Sequence, residues 1–193
     1  NSGTTMDTVE YIITVLNAQC PGDTAVVSVA VQPALTFNIN PDFTVCPGLP
    51  VNPDDYITSP PNATITWTNT NTNIGLGASG NGNVPTFTSG NNTSGSTISG
   101  TIEVTMQLND CPAVTDQFVV NVNSAPDFDY TTTPQNGLDC ITGIGVINGV
   151  VNPNNSTATW AGPGIVSGGN TFTPTINQPG QYTVELTNNS NGC

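Results

Sequence analysis

The chemistry open to this chain is set by what its side chains can give and take. It has no histidine, lysine or arginine, and its 13 aspartates and glutamates leave a net charge of −13 over 193 residues. Acid–base work would fall to carboxylates alone, with no basic side chain to clamp a substrate or activate a nucleophile. Asp54 and Asp55 are adjacent in "VNPDDY". In an extended chain neighbours point to opposite faces, so these two cannot flank one glycosidic bond, and they read as turn residues. No catalysis is expected. Calcium prefers hard oxygen ligands, and Asp127 and Asp129 in "APDFDY" stand two apart, on one face of a strand. They are the calcium candidates, with solvated carboxylates beside a linker as the alternative; no DxDxDG loop occurs, and "QPALTFN" at the other junction holds no acid. The glycine-rich "GLGASGNGN" matches neither GxGxxG nor GxxxxGK and precedes no helix, so it reads as a loop between strands. No cofactor is expected.

Sulfur is the remaining reactive element. The cysteines are Cys20, Cys46, Cys111, Cys140 and Cys193, with no CxxC pair and no histidine to complete a zinc site. Disulfides in an oxidising, extracytoplasmic setting are the expectation, against free buried thiols as the alternative. Phosphate could not be neutralised by a chain without cations, which excludes nucleic acid and disfavours an anionic membrane surface. No run of 18 apolar residues exists, so membrane insertion is not expected. The first residues lack the basic and apolar regions of a signal peptide, and the chain reads as an excerpt from something longer.

The elements that position these residues are strands. "VEYIITVL", "AVVSVAV", "TIEVTMQL", "QFVVNV" and "QYTVEL" alternate or cluster apolar residues at strand length, while Asn, Gly and Pro punctuate them. No window keeps a helical period. The fold class is all-β. A repeat organises it: "VEYIITVLNAQCPGDTAVVSVAVQP" from Val9 and "TIEVTMQLNDCPAVTDQFVVNVNSAP" from Thr101 are each strand, Cys-Pro turn, strand, closing proline. A third copy opens as "GQYTVELTNNSNGC" at Gly180. A tryptophan follows the earlier cysteine of each later unit, Trp67 after Cys46 (67 − 46 = 21) and Trp160 after Cys140 (160 − 140 = 20). These registers divide the chain into 1–33, the C-terminal part of a truncated β-sandwich; 34–126, a complete one; and 127–193, one lacking its last strand.

Early cysteine, tryptophan about 20 residues on, then late cysteine resembles the immunoglobulin-like arrangement, in which the tryptophan packs on an inter-sheet disulfide. "ATWAGPGIVSGGNTFTPTINQPGQYTVELTNNSNGC" and "ITWTNTNTNIGLGASGNGNVPTFTSGN" with "TIEVTMQLNDCP" resemble the PKD-like and immunoglobulin-like repeats of giant Bacteroidota surface proteins. The resemblance covers the whole chain and implies tandem, disulfide-stapled β-sandwiches. It implies Cys46–Cys111 and Cys140–Cys193 bridges, enclosing 111 − 46 = 65 and 193 − 140 = 53 residues, with Trp67 and Trp160 in the cores and Cys20 unpaired within the chain. Other pairings of five cysteines stay open.

Such repeats occur in adhesins, gliding-motility filaments and other type IX secretion cargo. The implied role is a structural or adhesive segment of an extracellular, cell-surface fibre. Its partners would be neighbouring repeats, other copies in a filament, or a surface polysaccharide. "DTV" and "DTA" are similar to the O-glycosylation acceptor of these bacteria, which would place glycans on Thr8 and Thr24. The alternative role is a carbohydrate- or ligand-binding module of a secreted multidomain protein, which would need an exposed aromatic platform.

Overall fold

The computed structural model describes residues 1, 3–17, 20–135 and 137–193, with the backbone alone at 16, 17, 20 and 21. The fold is all-β: the described residues hold strands and one short 3-10 turn at Thr72–Ile74. Strands β1 (Asp7–Asn17) and β2 (Cys20–Val31) form an antiparallel hairpin with Ile13 opposite Ala25, Tyr11 opposite Val27 and Val9 opposite Val29. Period-two alternation therefore gathers Val9, Tyr11, Ile13, Val27 and Val29 on one face and Thr8, Glu10, Thr14, Thr24 and Ser28, with Ile12 opposite Val26 among them, on the other. All twelve are exposed. A two-stranded sheet with an open apolar face gains little from burial and is marginal by itself.

The second unit is a two-layer sandwich. Its strands are β3 (Thr36–Phe37), β4 (Phe43–Val45), β5 (Pro50–Val51), β6 (Thr58–Ser59), β7 (Thr64–Asn69), β8 (Ser79–Asn81), β9 (Phe87–Thr88), β10 (Ile98–Gln107) and β11 (Val114–Val122). The main sheet runs β4-β11-β10-β7-β8, faced by the short pairs β3-β6 and β5-β9. A hairpin at the sheet centre with the tryptophan strand beside it is the immunoglobulin-like order. Alternation along β10 turns Ile102, Val104 and Met106 inward, and β11 contributes Phe118, Val120 and Val122; all six are essentially buried. Each such side chain contributes about 1.5–3 kcal/mol by leaving water. Trp67 on β7 is buried against Gly80 of β8, where an added Cβ would lie 2.4 Å from the ring. The stretch read as a glycine-rich loop thus contains a strand, and its glycine is what lets the indole close on the sheet. Asp116 also points inward, its carboxylate accepting from the Tyr56 hydroxyl at 2.6 Å and the Asn40 backbone N–H at 3.3 Å. Burial, reinforced by that bond to an anion, holds the Tyr56 phenol well above its ordinary pKa.

The third unit comprises β12 (Asp127–Thr133), β13 (Gly145–Asn152), β14 (Ser156–Ala161), β15 (Ile165–Ser167), β16 (Thr175–Ile176) and β17 (Thr183–Asn188). One sheet runs β12-β13-β16-β15 and the other is the pair β14-β17. Trp160 faces Val184 across the latter as Trp67 faces Val104 across β7 and β10, so the two units share one register. Their difference lies at the next position. β10 is flanked by β7 and β11, whereas β17 pairs with β14 alone among the described strands. Tyr182, Val184 and Leu186 are consequently half-buried where their counterparts Ile102, Val104 and Met106 are buried. Trp160, expected in the core, is half-buried for the same reason. Its ring meets Phe128 edge-on at 5.8 Å and its indole N–H donates to the Thr171 carbonyl at 2.8 Å. The Trp67 indole nitrogen is buried with no hydrogen-bond partner among the described residues.

Candidate functional site at the junction of the two sandwiches

The bridge in this structure joins Cys46 to Cys193, with a Cα–Cα separation of 5.4 Å. The expected Cys46–Cys111 and Cys140–Cys193 bridges are not formed, and Cys111 and Cys140 are free thiols. Strand geometry gives the reason. β4 runs parallel to β11 with Val45 beside Val122, so Cys46 sits at the C-terminal end of β11, whereas Cys111 lies in the turn before that strand begins at Val114. Eight residue steps at ~3.3 Å separate those ends by about 26 Å, far beyond the reach of a disulfide. Cys140, in the loop between β12 and β13, is likewise placed opposite Cys193. β13 runs from Gly145, near Cys140, to Asn152, near the β17 end, about 23 Å away at the same rise. Early and late cysteines of one unit face away from each other. The expectation that Cys20 has no partner falls on a side chain outside the described residues.

The bridge closes a polar junction. Beyond β11 the chain is pinned by Asn92, whose side-chain amide donates to the Val122 carbonyl at 2.9 Å and whose own carbonyl accepts from the Ala125 N–H at 2.9 Å. This leaves the carbonyl of Ser124 facing the third unit, where it accepts from the side-chain amides of Asn188 at 3.1 Å and Asn191 at 3.0 Å. Ser124, Asn92 and Asn188 are 1%, 3% and 3% exposed, so these bonds are shielded from water. Asn188 also organises the turn that carries the cysteine: its side-chain oxygen accepts from the Ser190 N–H, its carbonyl from the Gly192 N–H, and its N–H donates to the Cys193 carbonyl at 2.7 Å. Gly192 has φ +76°, a left-handed conformation that glycine adopts at low cost. A polar cleft of about 540 Å³ adjoins these bonds, lined by Thr97, Pro153 and Asn155 among others. The arrangement is a covalent and hydrogen-bonded clamp, with nothing in it to activate a substrate.

Sequence reasoning missed Asn92, Ser124, Asn188 and Asn191. The only signal was the register shared by Leu108 and Asn188, since Leu108 is buried beside Gln32 and Pro33 at the first junction as Asn188 is at the second. Asp127 and Asp129 lie exposed on β12 and accept from the N–H groups of Phe128 and Tyr130. No group of three or more metal-ligating side chains forms among the described residues. Asp54 and Asp55 are exposed, and their backbone is held by Asn40 and Asn38. Thr8 and Thr24 stand exposed on the hairpin face that also carries Glu10 and Ser28. No described helix is long and apolar enough to cross a membrane.

A second feature lies inside the third unit. Phe128, Tyr130, Ile147, Trp160, Tyr182 and Val184 line an open cleft of about 870 Å³ between its sheets.

No known protein family and no curated protein matches the chain. Among solved structures it is similar to Dpr2 Ig1-Ig2 in complex with DIP-Theta Ig1-Ig3, at 13% identity over 96% of this chain and 70% of that one, with a TM-score of 0.38. A chimeric titin Z1Z2-Z1Z2 tandem functionalised with a GRGDS peptide from fibronectin is 15% identical over 83% and 95%, with a TM-score of 0.34. The human desmocollin-1 ectodomain is 11% identical over 94% and 43%, with a TM-score of 0.30. Similarity this low carries no functional argument, and the fold assignment rests on the strands and their pairing.

Proposed function

We propose that the chain is a structural and adhesive repeat segment of a long extracellular surface fibre, without catalysis. The observation that carries this reading is the Cys46–Cys193 bridge, which ties one sandwich to the next instead of closing either. With the asparagine bonds to Ser124, it turns two beads on a string into one stiff element, as a stalk requires. The disulfide fits an oxidising environment, and the uniform charge keeps neighbouring stalks apart. The repeat resemblance extends the proposal to a Bacteroidota adhesin or gliding-motility filament exported by type IX secretion, with glycans on Thr8 and Thr24 of the exposed hairpin. Small-angle scattering tests the stalk. The oxidised chain should give a single maximum dimension, and reduction should broaden it. A profile unchanged by reduction would remove the support for the stalk.

The aromatic cleft favours a second reading, a ligand-binding module. Stacked Phe128 and Tyr130, with ring centroids 6.2 Å apart, and a half-buried Trp160 offer ring faces to a neutral sugar. Saturable quenching of Trp160 by a surface oligosaccharide, lost in Tyr130→Ala, would support it.

A further inference from the structure

The polar cleft at the junction is built from the strand ends of both sandwiches. Ile98 pairs with Val122, which sets Thr97 and Asn123 side by side just beyond that end of the β10–β11 hairpin. Ser156 pairs with Asn188, which brings Asn155 and Ser190 together beyond the matching end of β14 and β17. All four line the cleft. None of the described residues lining it is charged, in a chain that carries 13 acidic side chains and no basic one. An ionic ligand would leave its hydration shell without meeting a counter-charge, and an anion would also meet the negative field of the whole chain. The chemistry that remains is neutral hydrogen bonding.

The bonds made inside the cleft show how much capacity is left over. The Thr97 hydroxyl donates to the Asn123 side-chain oxygen at 3.0 Å, which fixes that amide while its own N–H groups have no acceptor among the described residues. The Asn155 side-chain amide donates to the Ser190 hydroxyl at 2.5 Å, leaving the Asn155 oxygen to accept and the Ser190 hydroxyl hydrogen to donate. Asn191 gives one side-chain hydrogen to the Ser124 carbonyl at 3.0 Å, accepts from the Cys193 N–H at 3.0 Å, and keeps its second hydrogen. Donors and an acceptor are thus presented from both units, each on a side chain already held by one bond, so little further ordering is needed when a ligand arrives. Sugar hydroxyls, which donate and accept at once, match such amides, and the Pro153 ring adds an apolar surface for a sugar's carbons. The volume of about 540 Å³ falls within the range of ~300–1,000 Å³ usual for small-molecule sites, which favour boundaries between domains.

We propose that the junction cleft is a binding site for a neutral saccharide, held by the free amide groups of Asn123 and Asn155 and bridging the two sandwiches. This goes beyond the stalk reading, which gives the junction no ligand. It is also a separate site from the aromatic cleft of the third unit, with which it shares no lining residue. Because the saccharide touches both units, its binding and the closed junction favour each other.

The test titrates the oxidised, isotope-labelled full chain with maltose, cellobiose, lactose and N,N′-diacetylchitobiose, and follows its side-chain amide and indole N–H signals by NMR. The expected result is that at least one of these disaccharides saturably shifts the Asn123 and Asn155 amide signals and leaves the Trp160 indole signal in place. Asn123→Ala and Asn155→Ala each remove neutral hydrogen bonds and should weaken that disaccharide about 3- to 10-fold. Neither side chain belongs to the clamp, so both variants should keep the parent's Tm and its Cys46–Cys193 bridge. Tyr130→Ala should bind like the parent. Absence of a saturable shift with all four sugars, shifts confined to Trp160, or an affinity unchanged in either asparagine variant would overturn the proposal. The stalk reading is decided separately, by the scattering change on reduction.

Discussion

Cys46→Ser is the most informative single perturbation, because its effect depends on which residues the bridge encloses. If the third unit unfolds while the second stays intact, the open segment runs from the junction at Pro126 to the tether at Cys193, or 193 − 126 = 67 residues. If the second unfolds against an intact third, it runs from Cys46 to Pro126, or 126 − 46 = 80 residues. Closing loops of these lengths reduces the entropy of the unfolded segment by the equivalent of about 4 kcal/mol in each case. For units of this size that corresponds to a fall in Tm of roughly 15–30 °C. The two tryptophans fall one to each unit, so Trp160→Phe and Trp67→Phe backgrounds let fluorescence follow the second and third units separately. Urea or thermal melts of Cys46→Ser, Cys193→Ser and the reduced parent should agree with one another, and both units should lose stability together. Cys111→Ser and Cys140→Ser should melt like the parent. If those two variants were as damaged as Cys46→Ser, each unit would be stapled internally and the clamp at the junction would be wrong.

Trp67→Ala should cost about 3–5 kcal/mol, whereas Trp67→Phe should cost far less, since it also removes a buried N–H without a partner; denaturant titration distinguishes them. Gly80→Ala should lower the second unit's Tm, because a Cβ there meets the Trp67 ring at 2.4 Å. Tyr56→Phe should cost about 1.5–3 kcal/mol by leaving Asp116 with one fewer donor. The raised Tyr56 pKa gives a sign as well: its stabilising contribution is complete below the unfolded value of 10.0 and is lost as pH rises above it, so an alkaline melt should weaken the parent more than Tyr56→Phe. Asp139 titrates in the opposite sense. Hydrogen bonds from Thr142 and Ile141 lower its pKa from 3.8, so the Cys140 turn holds at neutral pH and loosens as pH falls through that lowered value, which amide exchange at 141–143 would record.

Alternation of apolar residues is a local property, and it was legible. The five runs from "VEYIITVL" to "QYTVEL" all fall on strands, with only Leu108, Gln181 and Tyr182 just outside them, and the repeat aligns Trp67 with Trp160 as the strand pairings do. The cysteine pairing was not legible, because spacing orders the cysteines along the chain without saying at which end of a sandwich each emerges. That depends on β4 running parallel to β11, a non-local contact invisible in a three-residue strand. Gly80 looked like one more loop glycine because its role is defined by the ring of Trp67. Asn188 and Asn92 looked like any asparagines in an Asn-rich chain. Only the geometry at Ser124 shows that their amides satisfy backbone carbonyls at the unit boundary. Trp160 fitted the core pattern of its strand, yet its burial depends on a neighbour along the second edge of β17, where none of the described strands lies.

The Cys46–Cys193 bridge also decides where force travels. When tension is applied between the segment before Cys46 and Cys193, it runs along β3 and β4 to Cys46 and crosses the sulfur–sulfur bond to Cys193. Residues 47–192 are bypassed. Apart from β3 and β4 the two sandwiches then bear no load, and the 147-residue separation spanned by the bridge, about 500 Å of extended chain at ~3.4 Å per residue, stays out of the contour length until a reductant opens it. Residues 47–192 of such a tether extend only once its covalent link is reduced, so the redox state of its surroundings sets how far it can lengthen.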